Sequence, residues 1–470
     1  MSLKIYNVLT KKKELFRTLY ENHVNMYACG ITVSGDAHIG HAYQAIVFDM
    51  IRKYLEFIGY NVTYVRNYTD VDDKIILKSR SLGISPTDYA NDIMKKTDEE
   101  LERLNVGRPT IMAKATESIS DMINFITKLI DSGHAYSNDN GDVFFRVESF
   151  PRYGNFSNRI IDDAISGVRK EVEPGKEDDR DFALWKNAKD DEIFWDSPFG
   201  RGRPGWHIEC STMSMKYLGE TLDIHGGGKD LIFPHHENEI AQSEALTNKP
   251  FSRFWVHNGL IKVNGQKMSK SLGNSIYLSD LLSEFHPDVI RLTLLQNSYR
   301  SDMNVIDGMF NLFEEKIYTL YKLFTLINEG TINNDIINRV RNEFMESMDN
   351  DFNTSIAITN LYGYMSEMTD MIKNKNYDDA YSLKVVIRDV YSVLEIGVSD
   401  PQEVINQIKR KHLNKSNLQE EDILELIDKR NNFKKEKNFA SADSIRNELN
   451  ELNIELMDTR EGTAWDIKWN

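Results

Sequence analysis

Val24-Asn25-Met26-Tyr27-Ala28-Cys29 is a short, largely apolar run. A loop of glycines and small polar residues follows, from Gly30 to Gly40. From His41 onward Ala45, Phe48, Ile51, Tyr54, Leu55 and Ile58 recur at helical spacing. Gly59 stops that helix, and Asn61-Val62-Thr63-Tyr64-Val65 is rich in β-formers. A strand, a crossover helix and a second strand in this order predict the start of a parallel, doubly wound sheet in an α/β protein.

Outward from that unit, residues 121–204 read as an insertion, with a helix around Ile119 to Ile130 and then short, charge-rich strands. Parallel-sheet character returns at Gly205 to Cys210 and Leu222 to His225. After about residue 300 the chain turns helical, with Leu312, Phe313, Ile317, Leu320, Tyr321 and Phe324 on one face. Pro401 and the basic run Lys409-Arg410-Lys411-His412 read as a linker. Beyond it two more amphipathic helices are expected, the second striped by Ala442, Ile445, Leu449 and Leu452.

With 470 residues the chain is long for one domain and suggests about three. It is 40% hydrophobic and 28% charged, a globular balance that permits a sizeable core. No uninterrupted apolar run is long enough for a membrane span, and the first residues lack a signal-peptide core, so a cytoplasmic protein is expected. A net charge of −16 argues against general nucleic-acid binding, although local basic runs leave room for a confined contact. Two cysteines cannot build a disulfide framework.

Two motifs suit phosphate. His38-Ile39-Gly40-His41 opens the first helix, where free N–H groups and a partial positive charge attract anions, and where Gly40 admits close approach. Lys267-Met268-Ser269-Lys270-Ser271 follows Asn264-Gly265 and places two lysines on a glycine-flanked loop. Either motif alone also reads as a solvated loop. Together and in this order they resemble the signature pair of the class I aminoacyl-tRNA synthetases. Further blocks resemble the cysteine-specific branch almost end to end: Met26-Tyr27-Ala28-Cys29-Gly30, Asn67-Tyr68-Thr69-Asp70-Val71-Asp72-Asp73-Lys74, Gly205-Trp206-His207-Ile208-Glu209-Cys210-Ser211, Asp223-Ile224-His225-Gly226-Gly227-Gly228 and Phe233-Pro234-His235-His236-Glu237-Asn238-Glu239.

The resemblance implies a Rossmann-type catalytic domain over 1–120 and 205–260, split by a connective insertion at 121–204. It further implies a signature-loop and stem-contact region at 261–301, a helical bundle at 302–400 and a small C-terminal anticodon-binding domain at 401–470. Cys29, Cys210, His235 and Glu239 are the four positions on which the family carries one zinc ion. The donor types fit, and His235 and Glu239, four apart, share a helix face. Two buried, inert cysteines are the alternative for those residues taken alone. His-Glu-x-x-His spacing is absent, so a metalloprotease is not indicated. The resemblance also places cysteine-pocket residues at Tyr27, Thr69, Trp206, His225 and Asp230, and anticodon contacts at Lys434, Phe439 and Asp443. Phe439 stands where some members carry tryptophan, and Tyr43 where members commonly carry arginine.

The implied reaction activates L-cysteine with ATP and Mg²⁺, then transfers it to the 3′ end of tRNA(Cys), with a monomer expected. His38, His41, Lys267 and Lys270 are the candidate catalytic residues. The same two histidines, Gly40, Ser269 and both lysines are the candidate ATP-binding set. Serine differs from cysteine by one atom, and shape separates such pairs by only about a hundredfold. A discrimination of ~10⁴ needs about 5.5 kcal/mol, which a zinc–thiolate bond is able to supply. A ligase that couples cysteine to an amino sugar would share these motifs but not the tail at 401–470. A non-catalytic RNA-binding relative would not need the ATP motifs.

Overall fold

The computed structural model describes residues 2–158, 175–189, 192–268, 272–416, 418–459 and 462–469. Ser269 and Lys270 lie outside the described residues. The chain divides into two units, one of residues 1–280, 294–307 and 343–358, the other of residues 281–293, 308–342 and 359–470.

The first unit is built on a five-stranded sheet. Its strands are β1 (His23–Thr32), β2 (Asn61–Thr69), β3 (Ile111–Lys114), β4 (Leu222–Gly228) and β5 (Ser252–Asn258), all parallel, in the order β5-β4-β1-β2-β3. Helix α1 (Ile39–Phe57) crosses from β1 to β2 and buries Ala45, Phe48, Ile51, Tyr54 and Leu55, the stripe expected from spacing. It ends at Gly59, whose φ of 99° suits a residue without Cβ. The order reverses between β1 and β4, which makes the carboxyl ends of those strands a topological switch point where ligands bind.

Two further helices, α2 (Trp206–Leu218) and α3 (Glu237–Thr247), flank β4 in sequence. The strand expected at Gly205 to Cys210 is therefore a helix, and Cys210 stands on α2 rather than at a strand end. Ile208 to Ser214 are buried without a break. A helix enclosed on nearly all sides carries no amphipathic period, so its sequence reads like a buried strand.

The inserted segment forms an antiparallel sheet of Ala135–Ser137, Val143–Phe145, Phe182–Asn187 and Gly202–Pro204. Its Phe145, Phe182 and Trp185 share one apolar core with Phe125 and Leu129 of the preceding helix, with Ile208 of α2 and with Trp255 of the main sheet. Elsewhere in this unit a hairpin joins Ile261–Val263 to Gln266–Lys267 through Asn264-Gly265, both at positive φ, the residues that a two-residue turn demands.

The second unit is mainly helical. Helix α4 (Met309–Thr325) buries Ile317, Leu320, Tyr321 and Phe324 as expected. Its stripe begins at Phe310, however, and Leu312, two residues on and so about 200° round the helix, is exposed. Residues 401–415 are not a linker. They form helix α5 (Pro401–Lys415), with Asp400 capping its N-terminus and Pro401 in the first turn, where a missing N–H costs nothing. Two of the run's lysines are packed, not free for phosphate. Lys409 Nζ lies 4.0 Å over the Trp465 ring and donates to its carbonyl. Lys411 Nζ is 2.7 Å from Glu314 Oε1 and 3.7 Å over the Phe285 ring.

Helices α6 (Glu420–Lys435) and α7 (Phe439–Glu451) follow, with Ala442, Ile445 and Leu449 buried. An antiparallel hairpin of β6 (Ile454–Thr459) and β7 (Gly462–Ile467) closes the tail and was not expected. Ile454, Leu456 and Trp465 pack it on the helices. Among the described residues no helix is long and apolar enough to cross a membrane.

The packing of α5 gives a stability test. Glu314 is buried, with Lys411 and His412 as its hydrogen-bonding partners. Lys411→Ala should therefore cost about 1–3 kcal/mol, read as a lower denaturation midpoint, because it uncovers a buried carboxylate. Arg410→Ala, at an exposed position of the same helix, should leave the midpoint unchanged.

Candidate metal centre and active site

The functional side chains converge at the carboxyl ends of β1, β4 and β5. Cys29 comes from β1, His225 from β4, His257 from β5 and Cys210 from the second turn of α2. His235 and His236 precede α3, and Glu239 lies in its first turn. A carboxylate there is favoured by the helix dipole.

Cys29, Cys210, His235 and Glu239 are all buried, and their ligand atoms lie within 4.8 Å of one another. His235 Nε2 is 3.0 Å from Glu239 Oε1, and Cys29 Sγ is 3.4 Å from the same oxygen. The donor set of two thiols, one imidazole and one carboxylate suits a metal that accepts N, O and S ligands. A second group of four, Cys29, His225, His236 and Glu239, overlaps it. His225 Nε2 stands 3.1 Å from Glu239 Oε2 and 3.6 Å from Cys29 Sγ. The region is a buried cluster of Cys, His and Glu donors that could hold a metal ion.

Electrostatics follow from burial and crowding. Desolvation alone would raise Glu239, but the charges of His225 and His235 hold its carboxyl well below the usual range. Burial would lower His235, and Glu239 with Cys210 overcomes this, raising it to about 10. Burial first, then Cys210, pushes the Cys29 thiol up. For Cys210 burial works upward, yet the hydrogen bond with Cys29 and the His235 charge leave it lowered to about 6. His236 and His257, deeply buried and 2.7 Å apart through Nδ1 and Nε2, are both held neutral by desolvation.

The expected cysteine-pocket residues divide. Tyr27 stacks on His225 at 5.2 Å between ring centroids, and Trp206 lies 4.4 Å from the His235 ring with two fifths of its surface exposed. These border the donor group. Thr69 is engaged elsewhere, its hydroxyl donating to Glu209 Oε2 at 2.6 Å. Asp230 sits on the exposed turn after β4, turned back over Gly228, where an added Cβ would meet its Oδ1 at 2.5 Å.

At the N-terminus of α1, His38 is the cap. Its Nδ1 accepts from Gly40 N, His41 Nδ1 accepts from His38 N, and the two rings stack 3.7 Å apart. A Cβ at Gly40 would come within 3.4 Å of Met268 Cε, so the two signature segments touch. Lys267 is exposed on its short strand. Tyr43 is buried and donates to the Tyr299 carbonyl at 3.0 Å, so an uncharged hydrogen bond occupies that position.

In the second unit Phe439 opens α7 with 61% exposure, and Asp443 is exposed one turn later. Lys434 is committed to Asp458 at 2.8 Å, alongside the buried Arg430.

Sequence reasoning missed His236, His257, Glu209, Asn67 and Gln44. His236 carried a signal, three residues before Glu239 on the same helical face. His257 carried none, because only the register that sets it beside Gly227 of β4 brings it in.

Residues 15–314 match the family described as tRNA synthetases class I (C) catalytic domain, and residues 343–396 match the DALR domain. A cysteine–tRNA ligase of Syntrophotalea carbinolica is 45% identical over 100% of both chains. Another, of Thermodesulfovibrio yellowstonii, is 42% identical over 100% of both. The fold is similar to that of Mycobacterium tuberculosis methionyl-tRNA synthetase in complex with methionyl-adenylate, with a TM-score of 0.58, 14% identity, and 82% of this chain and 93% of that one covered. Motif placement, sheet topology and full-length identity agree: the chain belongs to the cysteine–tRNA ligase family of class I tRNA synthetases.

Proposed function

We propose that this chain joins L-cysteine to tRNA(Cys) in two ATP-dependent steps. We further propose that Cys29, Cys210, His235 and Glu239 hold one zinc ion that selects the substrate by its thiol. The observation that carries the reading is the buried two-thiol, imidazole and carboxylate group at the switch point, beside the helix N-terminus that bears His38 and His41.

In the first step a carboxylate oxygen of cysteine attacks the α-phosphorus of ATP, and pyrophosphate leaves. The carboxylate is ionised near neutral pH, so alignment and charge stabilisation do the work rather than a general base. His38, Gly40 and His41 offer imidazole groups and helix N–H donors to the phosphates, which also carry Mg²⁺. Lys267, Ser269 and Lys270 meet the charge that builds on pyrophosphate. In the second step the terminal ribose hydroxyl of the tRNA attacks the adenylate carbonyl, and AMP leaves. A zinc ion held by Cys29, Cys210, His235 and Glu239 would supply a soft Lewis acid, which a substrate thiolate binds far better than a serine hydroxyl does.

Tyr27 and Trp206 wall the pocket in this reading, Thr69 and His225 shape it, and Asp230 faces the substrate ammonium at its mouth. Residues 1–120 and 205–260 act as the catalytic domain, 121–204 as its connective insertion, 261–301 as the signature-loop and stem-contact region, and 302–400 as the helical bundle. Residues 401–470 read the anticodon with Lys434, Phe439 and Asp443. The protein works as a cytoplasmic monomer.

Pyrophosphate exchange with each standard amino acid tests the core of this. Cysteine alone should support it, elemental analysis should find one zinc per chain, and Cys210→Ser should lose the metal. Metal-free wild-type protein that still selects cysteine would overturn the zinc reading. Lys270→Ala should slow adenylate formation by roughly one to three orders of magnitude, about 1.4–4 kcal/mol. Cysteine binding should barely change, and an equal loss in both would make the loop structural. Phe439→Ala should leave exchange intact and lower tRNA charging, by about 1–3 kcal/mol if a base stacks on the ring. Unchanged charging would remove Phe439 from the interface.

A further inference from the structure

The peptide that joins Cys29 to Gly30 has no place in the sheet ladder. Pairing of β1 with β4 ends at Ala28 opposite Gly226. Pairing of β1 with β2 runs to Ala28 opposite Arg66, then skips to Ile31 opposite Tyr68. Two backbone groups of one half-buried peptide are thereby left to other partners, since such groups are nearly always bonded. Both partners are side-chain amides. Asn67 Oδ1, from β2, accepts from Gly30 N at 2.8 Å. Gln44 Nε2, from α1, donates to the Cys29 carbonyl.

The grip is tight. Asn67 is fully buried, and a Cβ at Gly30 would fall 1.5 Å from the Asn67 carbonyl oxygen, so only glycine admits this approach. Asn67 Oδ1 is also 3.7 Å from Cys210 Sγ, which sets one amide against both cysteine positions. Gln44 stands three residues after His41 on the same helix, so the element that presents its N-terminus to phosphate also holds the Cys29 peptide.

We infer that Asn67 and Gln44 are positioning residues of the metal centre: their amides clamp the Cys29–Gly30 peptide and thereby aim the Cys29 thiol at the shared donor point. The inference rests on the proposed metal reading. A thiolate ligand must lie close to 2.3 Å from zinc. An unclamped peptide at a ladder break is free to rotate, and the sulfur rotates with it. Partners one step beyond the ligands typically govern metal affinity by 10–100-fold.

The test uses the full chain loaded with zinc or with cobalt. Asn67→Leu and Gln44→Met keep approximate size and remove the amides. Zinc affinity, measured by competition with a chromophoric chelator, should fall about 10–100-fold in Asn67→Leu and at least about fivefold in Gln44→Met. The visible absorption of the cobalt form should shift in both, KM for cysteine should rise, and KM for ATP should stay within about twofold. If Asn67→Leu does not fold, Gln44→Met decides alone. A folded variant with wild-type zinc affinity and cobalt spectrum overturns the clamp while leaving the metal centre standing. Wild-type protein that binds neither metal overturns the metal reading and the clamp with it.

Discussion

Everything at the switch point answers to one constraint, a carboxylate that is buried completely and still charged. Removing Glu239 from water costs several kcal/mol unless cationic or donor groups surround it. No single element has room for such a shell. His225 reaches it from β4, His235 from the turn before α3, and Cys29 from β1. A parallel sheet is suited to this, because its strand ends and helix starts face one another at the point where strand order reverses.

The same logic extends along the segment that carries the carboxylate. Glu237 turns away from the donor group and accepts from Gly154 N and Ser157 N of the inserted segment, each at 2.8 Å. Asn238 accepts from the Tyr153 hydroxyl. Gln242, one turn further on, bonds the His207 carbonyl and the Ser211 hydroxyl of α2. Adjacent polar residues on the first turns of α3 are thus bonded to different elements. Buried hydrogen bonds orient their members more strictly than apolar packing alone, and here they fix the ligand helix.

Much of this was legible before any coordinates. The β1–α1–β2 unit could be read from helical spacing and one stop glycine, and the four donors from chemistry joined to resemblance. Three failures have physical causes. Helix α2 lost its period because it is enclosed all round. The run Lys409-Arg410-Lys411 looked solvated, but long lysine stems lie over Trp465 and Phe285 while their ammonium groups reach acceptors. The β6–β7 hairpin buries Ile454, Leu456, Trp465 and Ile467, too short a pattern to outweigh the helical signal before it. Asn67 and Gln44 were invisible for another reason: the ladder break they repair exists only once β1, β2 and β4 are aligned.

On the reading proposed above, the two halves of the candidate site solve opposite physical problems, and their construction differs accordingly. Telling sulfur from oxygen is a matter of ligand chemistry, which works only where water is excluded and donor atoms are held still. That half is fully buried, drawn from four elements, and braced by amides and imidazoles. Handling phosphate is a matter of charge that must arrive with one ligand and release another. Lys267 is accordingly exposed, on a strand of two residues behind an Asn-Gly turn. A lysine in that setting is open to solvent and able to follow an anionic ligand as it arrives and leaves. At Gly40 the two phosphate segments meet, since a Cβ there would lie 3.4 Å from Met268 Cε. Contact there joins an exposed hairpin to a helix whose next turn, through Gln44, holds the Cys29 peptide. Rigidity in the sulfur-reading half and solvent access in the phosphate-handling half can therefore coexist within one short helix N-terminus.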